Sequence, residues 1–158
     1  MILSITVLAA LATLSGLTVI TTRGTMSQET NDRFHTIAMR AAESGAASAM
    51  DFLRANIDFG GGPKWTFWLT HALNFQANGA QPGNPQNQFR VDQQAWYSVT
   101  VVNNKPDPGY LGGTDTDCDV IIQSTGHGPN GAVSLIEWEV KGTAAGQPLT
   151  LVAWREVL

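Results

Sequence analysis

An α+β fold, in which a long N-terminal α-helix carries an antiparallel β-sheet head, is what this sequence predicts, on three observations. Residues 1–22, MILSITVLAALATLSGLTVITT, contain no charge. Helical spacing of apolar residues then continues to about residue 57. After a glycine-rich break, four stretches of β-branched or alternating character are joined by turn residues.

The leading stretch reads as helix from its length and composition. Its only polar residues are Ser and Thr, whose hydroxyls can bond back to carbonyls of their own helix, and it is long enough for a bilayer. No convincing break separates it from the second helical pattern, so one rod of roughly 85 Å is expected at ~1.5 Å per residue. Gly16 and Gly24 each cost about 1 kcal/mol of helix relative to Ala. With Thr18, Val19, Thr21 and Thr22 between them, they make 16–24 the weakest helical part, a segment able to stretch or melt. From Phe34 onward Ile37, Ala38, Ala41, Ala42, Gly45, Ala46, Ala49, Phe52, Leu53 and Ile57 share one broad face. Its small residues would let another backbone come close. Residues 1–24 are thus expected as a hydrophobic transmembrane or filament-core helix, 25–58 as its amphipathic continuation and 59–158 as the head.

Gly60, Gly61, Gly62 and Pro63 stop the helix. The aromatic run 64–75, KWTFWLTHALNF, fits a short helix or strand packed on the head, and 76–88, QANGAQPGNPQNQ, reads as an exposed polar loop. Strands are expected over 96–102, 120–124, 133–141 and 149–156. Their short connections predict an antiparallel meander, one face of which covers the C-terminal half of the helix.

Composition narrows the function. Nine Lys plus Arg against thirteen Asp plus Glu give a net charge of -4 with no basic run, so a nucleic-acid backbone has nothing to bind by counterion release. Cys118 is the only cysteine, which excludes an internal disulfide, and a cysteine-ligated metal centre would need more ligands than one thiol can offer. No basic residue precedes the apolar run and no small-residue cleavage site follows it, unlike a secretory signal.

An apolar N-terminal helix, an amphipathic continuation, a glycine break and an antiparallel sheet is an order of elements that resembles the type IV pilin superfamily. Asn31, Arg33, Ala38, Ala41, Ala42, Glu43, Ser44 and Gly45 are similar to the N-x-R…A…A-A-E-[AS]-G segment of minor pilins of the PilX kind. Ser124, Thr125 and Gly126, leading into a final hairpin, resemble the heads of pilins and type II secretion pseudopilins. The resemblance implies that a prepilin peptidase cuts a leader just before Met1. The apolar half is then stored in the inner membrane, and an assembly machinery extracts it into a helical homopolymer outside the cell. Ile2, Leu3, Ile5, Val7, Leu8, Leu11, Leu14, Leu17, Ala41, Ala42 and Gly45 are the subunit-interface residues expected on this basis. Two departures stand out. Ile5, followed by Thr6, occupies the place where most pilins carry a glutamate, so either hydroxyls such as those of Ser4 and Thr6 satisfy a neighbour's terminal amine or the subunit has no neighbour above it, which would suit a tip subunit. Many pilin heads also close on a disulfide, which a lone Cys118 cannot form.

Chemistry is sparse. Asp107, Asp115, Asp117 and Asp119 lie in a Gly-rich loop, PDPGYLGGTDTDCD, whose ordinary reading is a solvated acidic turn. Alternating aspartates also suit calcium, with Asp115, Asp117 and Asp119 as the ligands, though no EF-hand spacing is present. His35, His71 and His127 are scattered, without a nucleophile motif beside them. Trp65, Phe67, Trp68, Trp96, Trp138 and Trp154 could be read as an aromatic ligand platform, but core packing against the helix is their ordinary reading. Arg33, Arg40 and Glu43 are expected in helix-face or intersubunit ion pairs, with Glu43 either an exposed rim residue or a buried carboxylate facing another subunit.

The expected function is a non-enzymatic structural subunit of a type IV pilus-like extracellular filament, polymerised through the N-terminal helix. A minor or tip pilin, or a secretion pseudopilin, is the alternative within that class. A single-pass membrane-anchored domain with a ligand-binding or enzymatic head is the alternative from another class. Leu at Ala41 or Ala42 separates the classes, since it should disturb packing between subunits and leave a lone anchor untouched.

Overall fold

The computed structural model describes residues 2–58, 64–75, 77–81 and 95–157; side chains are described from residue 21 onward and for Ser15. The expected glycine break at 60–63 and most of the polar loop lie outside the described residues. So do the side chains of Ile2, Leu3, Ile5, Val7, Leu8, Leu11, Leu14 and Leu17. Among the described residues no helix is long and apolar enough to cross a membrane.

Helix α1 runs over Ile2–Ala55, unbroken through Gly16 and Gly24. The chain divides into two units, Met1–Phe34 and His35–Leu158. The first is helix alone, and from residue 21 to 33 every side chain is exposed. Its threonines turn inward on the helix: the Thr25 hydroxyl donates to the carbonyls of Thr21 and Thr22 (3.2 and 2.9 Å), and Thr30 Oγ1 donates to Met26 (2.7 Å).

The second unit pairs the rest of α1 with four strands, β1 (Trp96–Asn103), β2 (Asp119–His127), β3 (Val133–Lys141) and β4 (Thr150–Val157). They form one antiparallel sheet in sequence order, the expected meander. Side chains alternate between its faces. Val99, Val101, Val120, Ile122, Ile136 and Val140 point toward the helix and are buried. Gln123, Glu137 and Arg155 form a cross-strand row on the other face, with Arg155 Nε donating to Glu137 Oε2 at 2.6 Å and Gln123 Nε2 to Glu137 Oε1 at 2.8 Å.

The helix comes unusually near because both surfaces are small. Ala38, Ala42, Ala46, Ala49 and Leu53 lie fully buried along its inner stripe. Opposite them are Ser124, whose hydroxyl donates to the Ala42 carbonyl at 2.7 Å, and Gly126. The aromatic segment closes the C-terminal end of the helix as a 3-10 turn, Thr66–Leu69. The indole N–H groups of Trp65 and Trp68 donate to the carbonyls of Leu53 (2.9 Å) and Asn56 (3.1 Å), acceptors that a helix end leaves without intrahelical partners.

The two sheet edges differ. Along β1, Asn78 imitates a neighbouring strand: its Oδ1 accepts from Val99 N (2.7 Å), its Nδ2 donates to Val99 O (3.2 Å), and Gly79 N donates to Tyr97 O (2.9 Å). On β4 the side chains from Thr150 to Arg155 are exposed.

Candidate functional site

The first candidate is the loop between β1 and β2. Asp107, Asp115 and Asp117 each offer an oxygen within 4.8 Å of the others. Asp119, expected as the third ligand, is elsewhere: it begins β2, with Lys141 Nζ 3.6 Å from its Oδ2. By strand alternation Asp119, which starts β2, lies on the face opposite Val120 and Ile122, where Lys141 and Glu139 are its charged neighbours, while it stays buried. Asp107 enters from the other end of the loop in its place.

This is also no solvated turn, since Asp107 and Asp115 are buried. Asp107 accepts from Gly109 N (2.6 Å), from Thr116 N (2.7 Å) and from the Thr116 hydroxyl. Burial works to raise its pKa, but the hydrogen bonds from Thr116, Gly109 and Asn103 outweigh it and hold the carboxyl well below the usual carboxylate range. Asp115 accepts from Trp65 N (3.1 Å) and Cys118 N (2.9 Å). Its burial prevails over those bonds and pushes its carboxyl up. Cys118, buried with a left-handed backbone (φ 63°), has its thiol pushed to about 11 by burial and then by Asp115, so it is protonated and unreactive at neutral pH.

Two buried oxygens at this loop have no hydrogen-bond partner among the described residues, Asn104 Oδ1 and Asp119 Oδ1. Asn104 is 3 % exposed, and its Nδ2 donates to Asp117 Oδ2 at 3.1 Å. Turning the amide over would bring Oδ1 beside the Asp117 carboxylate, an orientation that a bound cation would favour. The donors are all oxygen, the set that calcium takes. Calcium at ~100 times its dissociation constant would add about 2.7 kcal/mol and raise the melting temperature by on the order of 10 °C. The gain should shrink as pH falls and Asp115 takes up a proton. Identical melts in calcium and in chelator would leave the loop held by its N–H donors alone.

The second candidate is the surface flanking the helix. Of the interface residues expected on the amphipathic half, Ala42 and Gly45 are turned to the chain's own sheet. Ala42 is fully buried, and a Cβ on Gly45 would overlap the Ser124 hydroxyl and lie 2.8 Å from the Tyr97 ring. Ala41 alone stays half-exposed. It lines a largely apolar cavity of about 310 Å³ with Ile37, Arg40, Ser44, Trp96 and Tyr97.

On the other side of the helix, Trp154 is 60 % exposed rather than in the core, with Leu151 and Val152 exposed beside it. Glu43 is exposed too. The histidines serve separate purposes. His35 Nε2 lies 3.3 Å from Glu156 Oε1, His71 stacks on Phe67 (3.9 Å) and His127 on Trp96 (3.7 Å). Burial lowers the pKa of His127.

No family model, curated protein or solved structure matches the chain. The architecture is pilin-like. One long N-terminal helix packs on a four-stranded antiparallel sheet.

Proposed function

We propose that this chain is a structural subunit of a type IV pilus-like extracellular filament, built by packing the apolar N-terminal halves of many copies together. The observation that carries the reading is the combination of an uncharged leading helix with a helix-on-meander head. In that head the sheet takes the inner stripe of the helix and leaves Ala41 accessible. Before assembly the apolar half sits in the inner membrane, and a prepilin peptidase and an assembly machinery bring it into the polymer. Burial at ~25 cal/mol per Å² of apolar surface makes such a core persist in water.

Negative-stain microscopy of sheared surface material, with mass spectrometry of the N-terminus, tests this directly. Fibres containing the chain are expected. Solitary molecules whose leading helices are ringed by lipid would overturn the proposal.

Ala41→Leu is the sharper probe. It adds bulk to an accessible wall, so the melting temperature of the unassembled chain should stay within a few degrees. Overpacking a contact between subunits costs ~1–3 kcal/mol, and fibre yield should fall about tenfold or more. Unchanged yield would remove this wall from the interface. Ala42→Leu is unsuitable, because it would damage the head itself.

A further inference from the structure

We propose that the cavity between α1 and β4 is a binding site for an organic cation of the quaternary ammonium class. The cavity, about 210 Å³, is lined by Glu43 from the helix, Ile136 and Trp138 from β3, and Leu151 and Trp154 from β4. Trp138 and Trp154 are direct cross-strand partners, so their indoles stand on the same face of the sheet. That is the face toward the helix, beyond the stripe the helix covers. Glu43 stands on the facing wall.

The chemistry of the lining selects the ligand. Two indoles offer π-faces that attract cations, an interaction worth most when the cation sheds its water. Glu43 is the only charged residue in the lining, and it has no ion-pair partner among the described residues. The two nearest charges on β4 are already engaged. Glu156 pairs with His35, and Arg155 reaches Glu137 on the opposite face of the sheet. The site therefore presents one carboxylate, two aromatic walls and aliphatic Ile136 and Leu151.

A guanidinium or primary ammonium could place one or two N–H donors on the Glu43 carboxylate, but the donors turned toward Ile136, Leu151 and the indoles would meet no acceptor. A methylated ammonium has no such donors, needs only charge and π-faces, and gains from the aliphatic contacts. The volume equals roughly seven waters at ~30 Å³ each, more than a trimethylammonium head requires.

This inference does not rest on the filament proposal and is tested on the unassembled full chain, in a neutral sugar detergent free of ammonium and phosphocholine groups. Choline and tetramethylammonium are titrated while tryptophan fluorescence and binding heat are followed. The neutral isostere of choline, with carbon in place of nitrogen, and guanidinium serve as comparisons. Saturable binding of choline is expected, about tenfold or more tighter than the neutral isostere. Trp154→Ala should weaken it about tenfold and Glu43→Gln several-fold. Both side chains are largely exposed, so far-UV circular dichroism should be unchanged and melting should shift by a few degrees at most. Equal binding of the neutral isostere would reduce the site to an apolar groove. Tighter binding of guanidinium would make it a contact for an arginine side chain. Either result, or no saturable change up to about 10 mM ligand, overturns the proposal.

Discussion

Gly126→Ala should cost the head about 3 kcal/mol or more, enough to unfold much of the population if total stability is in the usual range of ~5–15 kcal/mol. A Cβ at this position would overlap the Ala38 carbonyl oxygen and the Ala42 amide nitrogen and lie 3.0 Å from the Ala42 Cα. All three are helix backbone, which cannot swing aside as a side chain can. The helix must lift off β2, and the hydrogen bond from Ser124 to Ala42 is lost with it.

Thermal melts of the full chain, followed by circular dichroism, measure the effect. Gly24→Ala provides the contrast: nothing lies within 4 Å of its added Cβ, and removing a helical glycine should gain ~0.5–1 kcal/mol. A Gly126→Ala melt within a couple of degrees of the parent would mean that helix and sheet are not packed this closely.

The second large effect is expected at Trp65. It is fully buried and ties three parts of the head together. Its indole N–H holds the Leu53 carbonyl at the end of α1, and its amide holds Asp115 in the β1–β2 loop. Its ring also lies where a Cβ on Gly142 would approach to 2.7 Å, at the exit of β3. Trp65→Ala should cost ~3–5 kcal/mol through the cavity and lost contacts.

Trp65→Phe keeps most of the packing and removes one of the two donors to the Leu53 carbonyl, which still accepts from the Asn56 N–H at 3.2 Å, so it should cost only ~0.5–1.5 kcal/mol. Denaturant titrations of both variants should rank them in that order. Similar values for the two would assign the residue's importance to its hydrogen bond rather than its volume. Asp115 loses its Trp65 partner only if the backbone moves, so any calcium effect on melting should survive in Trp65→Phe and weaken in Trp65→Ala.

Much of this was legible in the residues themselves. The period of 3.6 through Leu53 and the period of 2 in 96–102 and 133–141 each record which side of an element faces a core. That record is local, so the elements, their order and the meander could be read without coordinates. The turn residues between strands, such as Gly128, Pro129, Asn130 and Gly131 before β3, announced the short connections.

The tertiary structure decided which surface meets which. A helix is ~10–12 Å across, while four strands spaced ~4.8 Å apart make a wider sheet. One helix therefore cannot cover them all. Its stripe of Ala38, Ala42, Ala46 and Ala49 is used up on the middle of the sheet, where Gly126 and Ser124 admit it. Trp154 carries the same alternating signal as the buried Ile136, yet stands exposed on the edge strand beyond the buried stripe of the helix. In the loop, spacing placed Asp119 with Asp115 and Asp117, whereas the start of β2 took it away and chain reversal supplied Asp107. The elements and their faces are local properties, because burial is written as periodicity. Pairing across space, which sets the acidic cluster and the tryptophan-lined cavity, depends on the width and reach of whole elements, and no local pattern records that.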